Sequence, residues 1–352
     1  MQIDFHHAVT YVAARLAGFP HEEADIIAYA AQYVDDATSQ GIICFDNKAL
    51  YERNSSAHKS IDPKNLDALD NQKVWMPFHF LPGNGSPDPG ESSEGKFIHK
   101  LICFPDSPVA KDMIKAAILD QDKDRNNKYA LHRLGITMHV YADTWAHQGF
   151  AGVKHDVNKV VKISESGHSN VFKDVLINLI NKSIPELGHG QAYVFPDMPF
   201  LSWEYVNGHK KTIPRNNTDE FCKAADALCK AMKRYRLKSP DAEVTGIGEN
   251  DMNQIRKLFT ELKTEDGEDR HQEWINKIEQ GIFSFGPATI SYAEDGKGSW
   301  KAEALGTSKD TFEYTYKESF LTSNWKLFHD ALQLHRITVS HDILPKYGIC
   351  AA

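Results

Sequence analysis

The chain has 352 residues, a formal net charge of −8, 41% apolar and 25% charged residues. These are ordinary values for a globular chain with room for a large core, in one domain over residues 1–352 or with a C-terminal subdomain from about residue 212. The acidic balance argues against a duplex nucleic-acid partner, whose binders carry a basic face; a nuclease stays open because metal ions supply positive charge locally.

The opening MQIDFHH puts Asp4 and two histidines ahead of any apolar run, with no basic segment, and so does not read as a signal peptide. No stretch reaches the about 18 apolar residues of a membrane span, so stable membrane insertion is not expected. Five cysteines (Cys44, Cys103, Cys222, Cys229 and Cys350) are odd in number and lack CxxC spacing. They point to free thiols and a cytoplasmic setting.

Helices dominate the expected elements. Residues 5–17 read as one, closed by Gly18 and Pro20; residues 21–36 read as a second, with Glu22 and Glu23 suited to its first turn. Residues 53–98 read mostly as loop. Ser107 and Pro108 open a helix to residue 120 as cap and first-turn proline. Residues 128–145 contain no proline, and Leu131, Leu134, Met138, Tyr141, Ala142 and Trp145 recur at helical spacing. Further helices are expected over 170–182, 218–236, 250–262, 271–280 and 318–341, with loops or a small β-hairpin at 283–315. Segments 210–217 and 238–248 read as candidate linkers. The expected fold class is all-α, with long loops.

The central helix carries the most informative pattern. His139, Asp143 and His147 follow at four-residue steps, each a rotation of about 40°, so all three share one sector. His132 lies on the same stripe. Neutral imidazole nitrogen and carboxylate oxygen are usual zinc ligands, and polar groups on a core-facing stripe need partners. The alternative is a set of histidines hydrogen-bonded in a polar interior. An antiparallel pairing of the first two helices brings His6 or His7 near Asp35 or Asp36. His79, in the aromatic and proline-rich WMPFHFLPG, needs a partner if buried. Gly188 and Gly190 would let the backbone at His189 approach an ion, and the prolines of PDMPF fix Asp197 in a turn. His168 ranks below His189. His58 and His99 lie in polar contexts and read as surface residues. His329, His335 and His341 step by six residues and do not share a helix face.

Gly135, His139, Asp143, Trp145 and His147 match a known pattern. The zinc-dependent phospholipase C superfamily, which includes the S1/P1 nucleases, carries a His-x-x-x-Asp helix. The branch with GPI-specific phospholipase D has the form His-x-x-x-Asp-x-x-x-His, with Gly upstream and Trp inside, and the motif helix resembles it. The chain as a whole, with MQIDFHH and AYAAQYVDDAT, resembles a bacterial family of uncharacterised proteins sharing this motif. The resemblance implies a multi-helix bundle of phospholipase C/P1 nuclease type. It also implies one to three zinc ions, held by His7 and Asp36 (one-residue alternatives His6 and Asp35), His79, His139, Asp143, His147, His189 and Asp197. Two departures stand out. The family's His followed four residues later by an acid is absent at His168 and His189. Many members use a mature N-terminal Trp amine as a ligand, and Met1 stands here.

The expected activity is metal-dependent hydrolysis of a phosphodiester or phosphomonoester, with Asp143 as the bridging or orienting carboxylate and a small soluble phosphoester as partner. One rival is an HD-type metal phosphohydrolase, using His155-Asp156, His329-Asp330 or His341-Asp342. The other is a metal-binding or interaction protein without turnover.

Overall fold

The computed structural model describes residues 1–58, 68–85, 97–121, 128–165, 187–208 and 210–350. The helix expected at 170–182 and His168 lie outside them. The chain opens with a π-helical turn, Asp4–Val9, that runs into α1 (Thr10–Leu16), followed by α2 (His21–Asp36). The hairpin β1 (Gly41–Cys44) and β2 (Leu50–Arg53) comes next. Then follow α3 (Ala68–Phe78), α4 (Phe97–Leu101), α5 (Pro108–Asp120) and α6 (Ala130–Ala146). Strands β3 (Val160–Glu165), β4 (Ser202–Asn207) and β5 (Thr212–Asn216) form an antiparallel sheet in sequence order. The elements after β5 are helices: α7 (Asn217–Arg236), α8 (Glu249–Glu261), α9 (Gly267–Glu279), α10 (Trp300–Leu305) and α11 (Asn324–Ile337), which continues into a π-helical Thr338–Ile343.

The all-α expectation is overturned, and with it the bundle. The described residues are 54% helix and 10% strand, with two small sheets among them, a mixed α/β fold. Strands form where the side chains alternate: in β4, Trp203 and Tyr205 are buried while Ser202 and Glu204 are exposed. The segment read as a linker at 210–217 is largely the partner strand β5, in register from Ser202↔Asn216 to Val206↔Thr212. Of the loops or small β-hairpin expected at 283–315, the structure has the irregular chain, interrupted by α10 and with one isolated bridge from Tyr314 to Phe45. No helix among the described residues is long and apolar enough to cross a membrane.

Helix α6 packs against α2, α7 and α11 and is buried from His132 to Ala146. Gly135 makes the approach to α2 possible. A Cβ there would lie 2.4 Å from the Ile27 carbonyl oxygen and 2.7 Å from the Ala30 Cβ. This close approach lets α6 hydrogen-bond to α2 through a side chain, as described next. Elsewhere local chemistry acts as expected: Ser107 caps α5 by accepting from the Ala110 N–H at 3.2 Å.

Candidate metal centre

Six pieces of chain converge on one polar cluster. Helix α6 supplies His139 and Asp143, and His147 follows at its C-cap, where its N–H still bonds the Asp143 carbonyl. The first π-helical turn supplies His6, the end of α2 supplies Asp35, and the residue after α3 is His79. His189 leads into a short 3₁₀ turn, and Asp197 ends another, Phe195–Asp197. His6, His139, Asp143, His79 and His147 are all buried.

The distances define two neighbouring positions. In the first, His79 Nδ1, His139 Nε2 and Asp143 Oδ2 form a triangle with edges of 3.3, 3.3 and 3.3 Å. Asp35 Oδ1 caps it at 3.7 Å from His79 and 3.8 Å from His139. His6 Nε2 lies 3.2 Å from Asp143 Oδ1 and 4.0 Å from Asp35 Oδ2. In the second, Asp197 stands 3.7 Å from His147 Nε2 and 3.6 Å from His189 Nε2. Four ligands placed tetrahedrally at zinc–ligand bond lengths lie about 3.3–3.4 Å apart. The first triangle matches that edge.

The outer ring nitrogens decide what the inner ones are. His139 Nδ1 donates to the Ala31 carbonyl at 2.8 Å, the hydrogen bond that the α2–α6 approach permits. His79 Nε2 donates to the Ser56 carbonyl at 2.9 Å. His147 Nδ1 donates to the His79 carbonyl at 2.7 Å, and His189 Nδ1 donates to the Tyr193 carbonyl at 2.9 Å. A carbonyl only accepts, so each neutral ring carries its proton on the outside and turns a lone pair inward. His79 Nδ1 and His139 Nε2 then present lone pairs to each other and to a carboxylate. That arrangement is repulsive until a cation lies between them. Both nitrogens of His6 are buried without a hydrogen-bond partner, which is costly on the same grounds.

Protonation of the rings is a poor substitute for such a cation. Burial pushes His139 down to about 4, against the pull of Asp143, and pushes His189 down to about 4, against Asp197. The charge present is the amino group of Met1, 2.7 Å from Asp143 Oδ1 and 3.2 Å from Asp197 Oδ1. Burial lowers its pKa, but Asp143, Asp197 and Asp35 outweigh that and raise it to about 11. Burial works against the Asp143 carboxylate, yet His147, the amino group, His139 and His6 hold it well below the usual range. Desolvation and the Asp143 charge hold Asp35 well above it. One ammonium against the Asp143 and Asp197 carboxylates, even before Asp35 ionises, leaves the centre in deficit of positive charge.

The expected ligands thus gather, with two corrections. His7 faces away, its Nδ1 2.8 Å from His271 Nε2, and Asp36 accepts hydrogen bonds from Tyr292 and Gln32. The neighbours His6 and Asp35 take their places. The cause is helical phase: adjacent residues differ by about 100° around a helix, and the first turn is wound as a π-helix. The Met1 amine, which stands where many members of the resembled family have a Trp amine, pairs with Asp143 and Asp197 inside the cluster. His132 belongs elsewhere, bonding Asn324 at 3.1 Å. His58, read as a surface residue, is buried and lines the cavity. None of the His-Asp dipeptides joins the cluster. His155 accepts from Val157 N, His329 accepts from Asn54 N, and His341 is exposed.

The centre opens on a cavity of about 680 Å³, lined by Asp35, His79, Asp143, His147, His189 and Asp197 and by the aromatic Trp75 and Phe80. The Asp35 side chain is 31% exposed at this surface. No curated protein and no solved structure matches the chain. A family profile does match it, over residues 1–343, and the chain belongs to that family of unknown function, DUF6765.

Proposed function

We propose that the protein is a metal-dependent hydrolase of phosphoric esters, diester or monoester, with zinc as the ion. One observation carries the metal. Four imidazoles, each tied on its outer nitrogen to a main-chain carbonyl, aim lone pairs at carboxylates. Imidazole nitrogen with carboxylate oxygen suits zinc. The open cavity supports turnover over a purely structural site, because structural ions are closed in by protein and catalytic ones keep a free position. An ion held there supplies Lewis-acid polarisation and lowers the pKa of water at its free position.

The chain's own residues do the rest. Asp143 uses both oxygens, Oδ2 toward His79 and His139 and Oδ1 toward His6 and the Met1 amine, which in turn meets Asp197 of the second position. The carbonyls of Ala31, Ser56, His79 and Tyr193 orient the rings. Trp75 and Phe80 supply an apolar wall that excludes water beside the substrate. The phosphoester class rests on the resemblance of the motif helix to the zinc-dependent phospholipase C and S1/P1 nuclease superfamily. The partner on this reading is a small phosphoester, and five free cysteines support a reducing, cytoplasmic setting.

The test is hydrolysis of bis(p-nitrophenyl) phosphate and p-nitrophenyl phosphate by protein loaded with zinc. Turnover that chelator removes and zinc restores is expected. Zinc-loaded protein that binds the ion and cleaves neither ester would transfer the reading to a non-catalytic metal-binding protein.

A further inference from the structure

A second cavity, of about 420 Å³, shares no lining residue with the first. It lies where β2, the middle of α3 and the junction of α11 with the π-helical Thr338–Ile343 meet. Arg53, Lys73 and Arg336 line it against a single carboxylate, Glu52, in a chain of net charge −8. Arg53 spends both terminal nitrogens on Asp310, at 2.7 and 3.2 Å, while its Nε is buried without a partner. Arg336 is half-buried and donates Nη2 to Asn54 Oδ1 at 2.6 Å. Among the described residues it has no ion-pair partner. The backbone N–H of Asn54 donates to His329 Nδ1 at 3.3 Å, which anchors the main chain beside the guanidinium. Burial draws the Arg336 pKa down, with Glu52 opposing from a distance.

A half-buried guanidinium without a counter-ion is costly, and its remaining N–H groups form a fork suited to two oxygens of one anion. Ser340, also in the lining, carries a hydroxyl that can donate. The volume falls within the about 300–1,000 Å³ range of small-molecule sites. We propose that this cavity binds a metabolite-sized molecule through an oxyanion group, phosphate or carboxylate, with Arg336 as the principal contact and Lys73 and Arg53 supplying the field. The site is independent of the metal centre.

Calorimetric titration of the full chain with inorganic phosphate, and separately with succinate, tests this and distinguishes the two oxyanions. Phosphate also reaches metal ions in the first cavity, so the variants assign the heat. Arg336→Met is expected to weaken binding of the preferred probe by roughly tenfold or more, and Arg336→Lys by less. If Arg336→Met does not fold, judged by its circular dichroism melt, Lys73→Ala reads the same site and is expected to weaken binding several-fold. No binding of either probe by wild type at millimolar concentration, or the same affinity in wild type and the folded variants, overturns the proposal.

Discussion

Asp143→Asn tests the metal centre and its energetics together. The substitution keeps shape and removes one charge. Asp143 is buried and lies 2.7 Å from the Met1 amine and 3.2, 3.3, 3.3 and 3.5 Å from His6, His79, His139 and His147. Its carboxyl is held well below the usual range, so the folded state prefers the charged form. That stability is present above the unfolded pKa, and hence at pH ~7, and is lost only as pH falls through the folded value. The variant forfeits it. Breaking a buried pair costs about 3–5 kcal/mol. A chain of 352 residues has an unfolding entropy near 0.7 kcal/mol/K, so melting in chelator should fall by about 4–7 °C. Zinc at a thousandfold excess over its Kd should raise the wild-type melt by a further ~5 °C. If the lost ligand weakens zinc about a hundredfold, the variant should gain only ~2 °C. Melts followed by circular dichroism, with zinc and with chelator, read all four values. If the variant melts like wild type in chelator and gains the same increment with zinc, Asp143 is neither a stabilising charge nor a ligand.

His189→Ala should remove one ion and leave the one framed by His79, His139 and Asp143, read as a drop of one in bound zinc; loss of all metal would contradict two separate positions. Gly135→Ala should cost about 1–3 kcal/mol in urea unfolding, because its Cβ meets the Ile27 carbonyl at 2.4 Å, and should weaken zinc by disturbing the His139–Ala31 bond; wild-type stability would refute the close approach. Burial lowers His132 and His271 to about 4 and His329 and His335 to about 3. Each depressed imidazole adds stability above its unfolded pKa near ~6.5, which is lost as pH falls toward the folded value at about 1.4 kcal/mol per pH unit. The urea midpoint in chelator should therefore fall steeply from pH ~6.5 to ~5, and a flat profile would contradict the neutral buried histidines.

The sequence revealed the helical register best. Residues 21–36 and the cap at Ser107 read directly, and His139, Asp143 and His147 share one helix stripe before any tertiary contact is considered. The one-residue choices could not be read. His6 against His7 depends on the π-helical phase of the first turn, and Asp35 against Asp36 on where α2 ends against α6. Strands were missed because each has only four to six residues and pairs locally. The alternation in SWEYVN was the signal that could have found β4. The Met1 amine carries no side-chain motif, and only tertiary structure brings it to Asp143 and Asp197.

The most direct test of the central claim is elemental analysis of protein purified without chelator. The account predicts at least one zinc per chain, rising toward two when zinc is added, with clear loss in His139→Ala, whose ring turns Nε2 into the cluster and bonds Ala31 through Nδ1. Substoichiometric metal that does not rise on adding zinc, in folded wild-type protein, would contradict it and make the histidine–aspartate cluster a structural network.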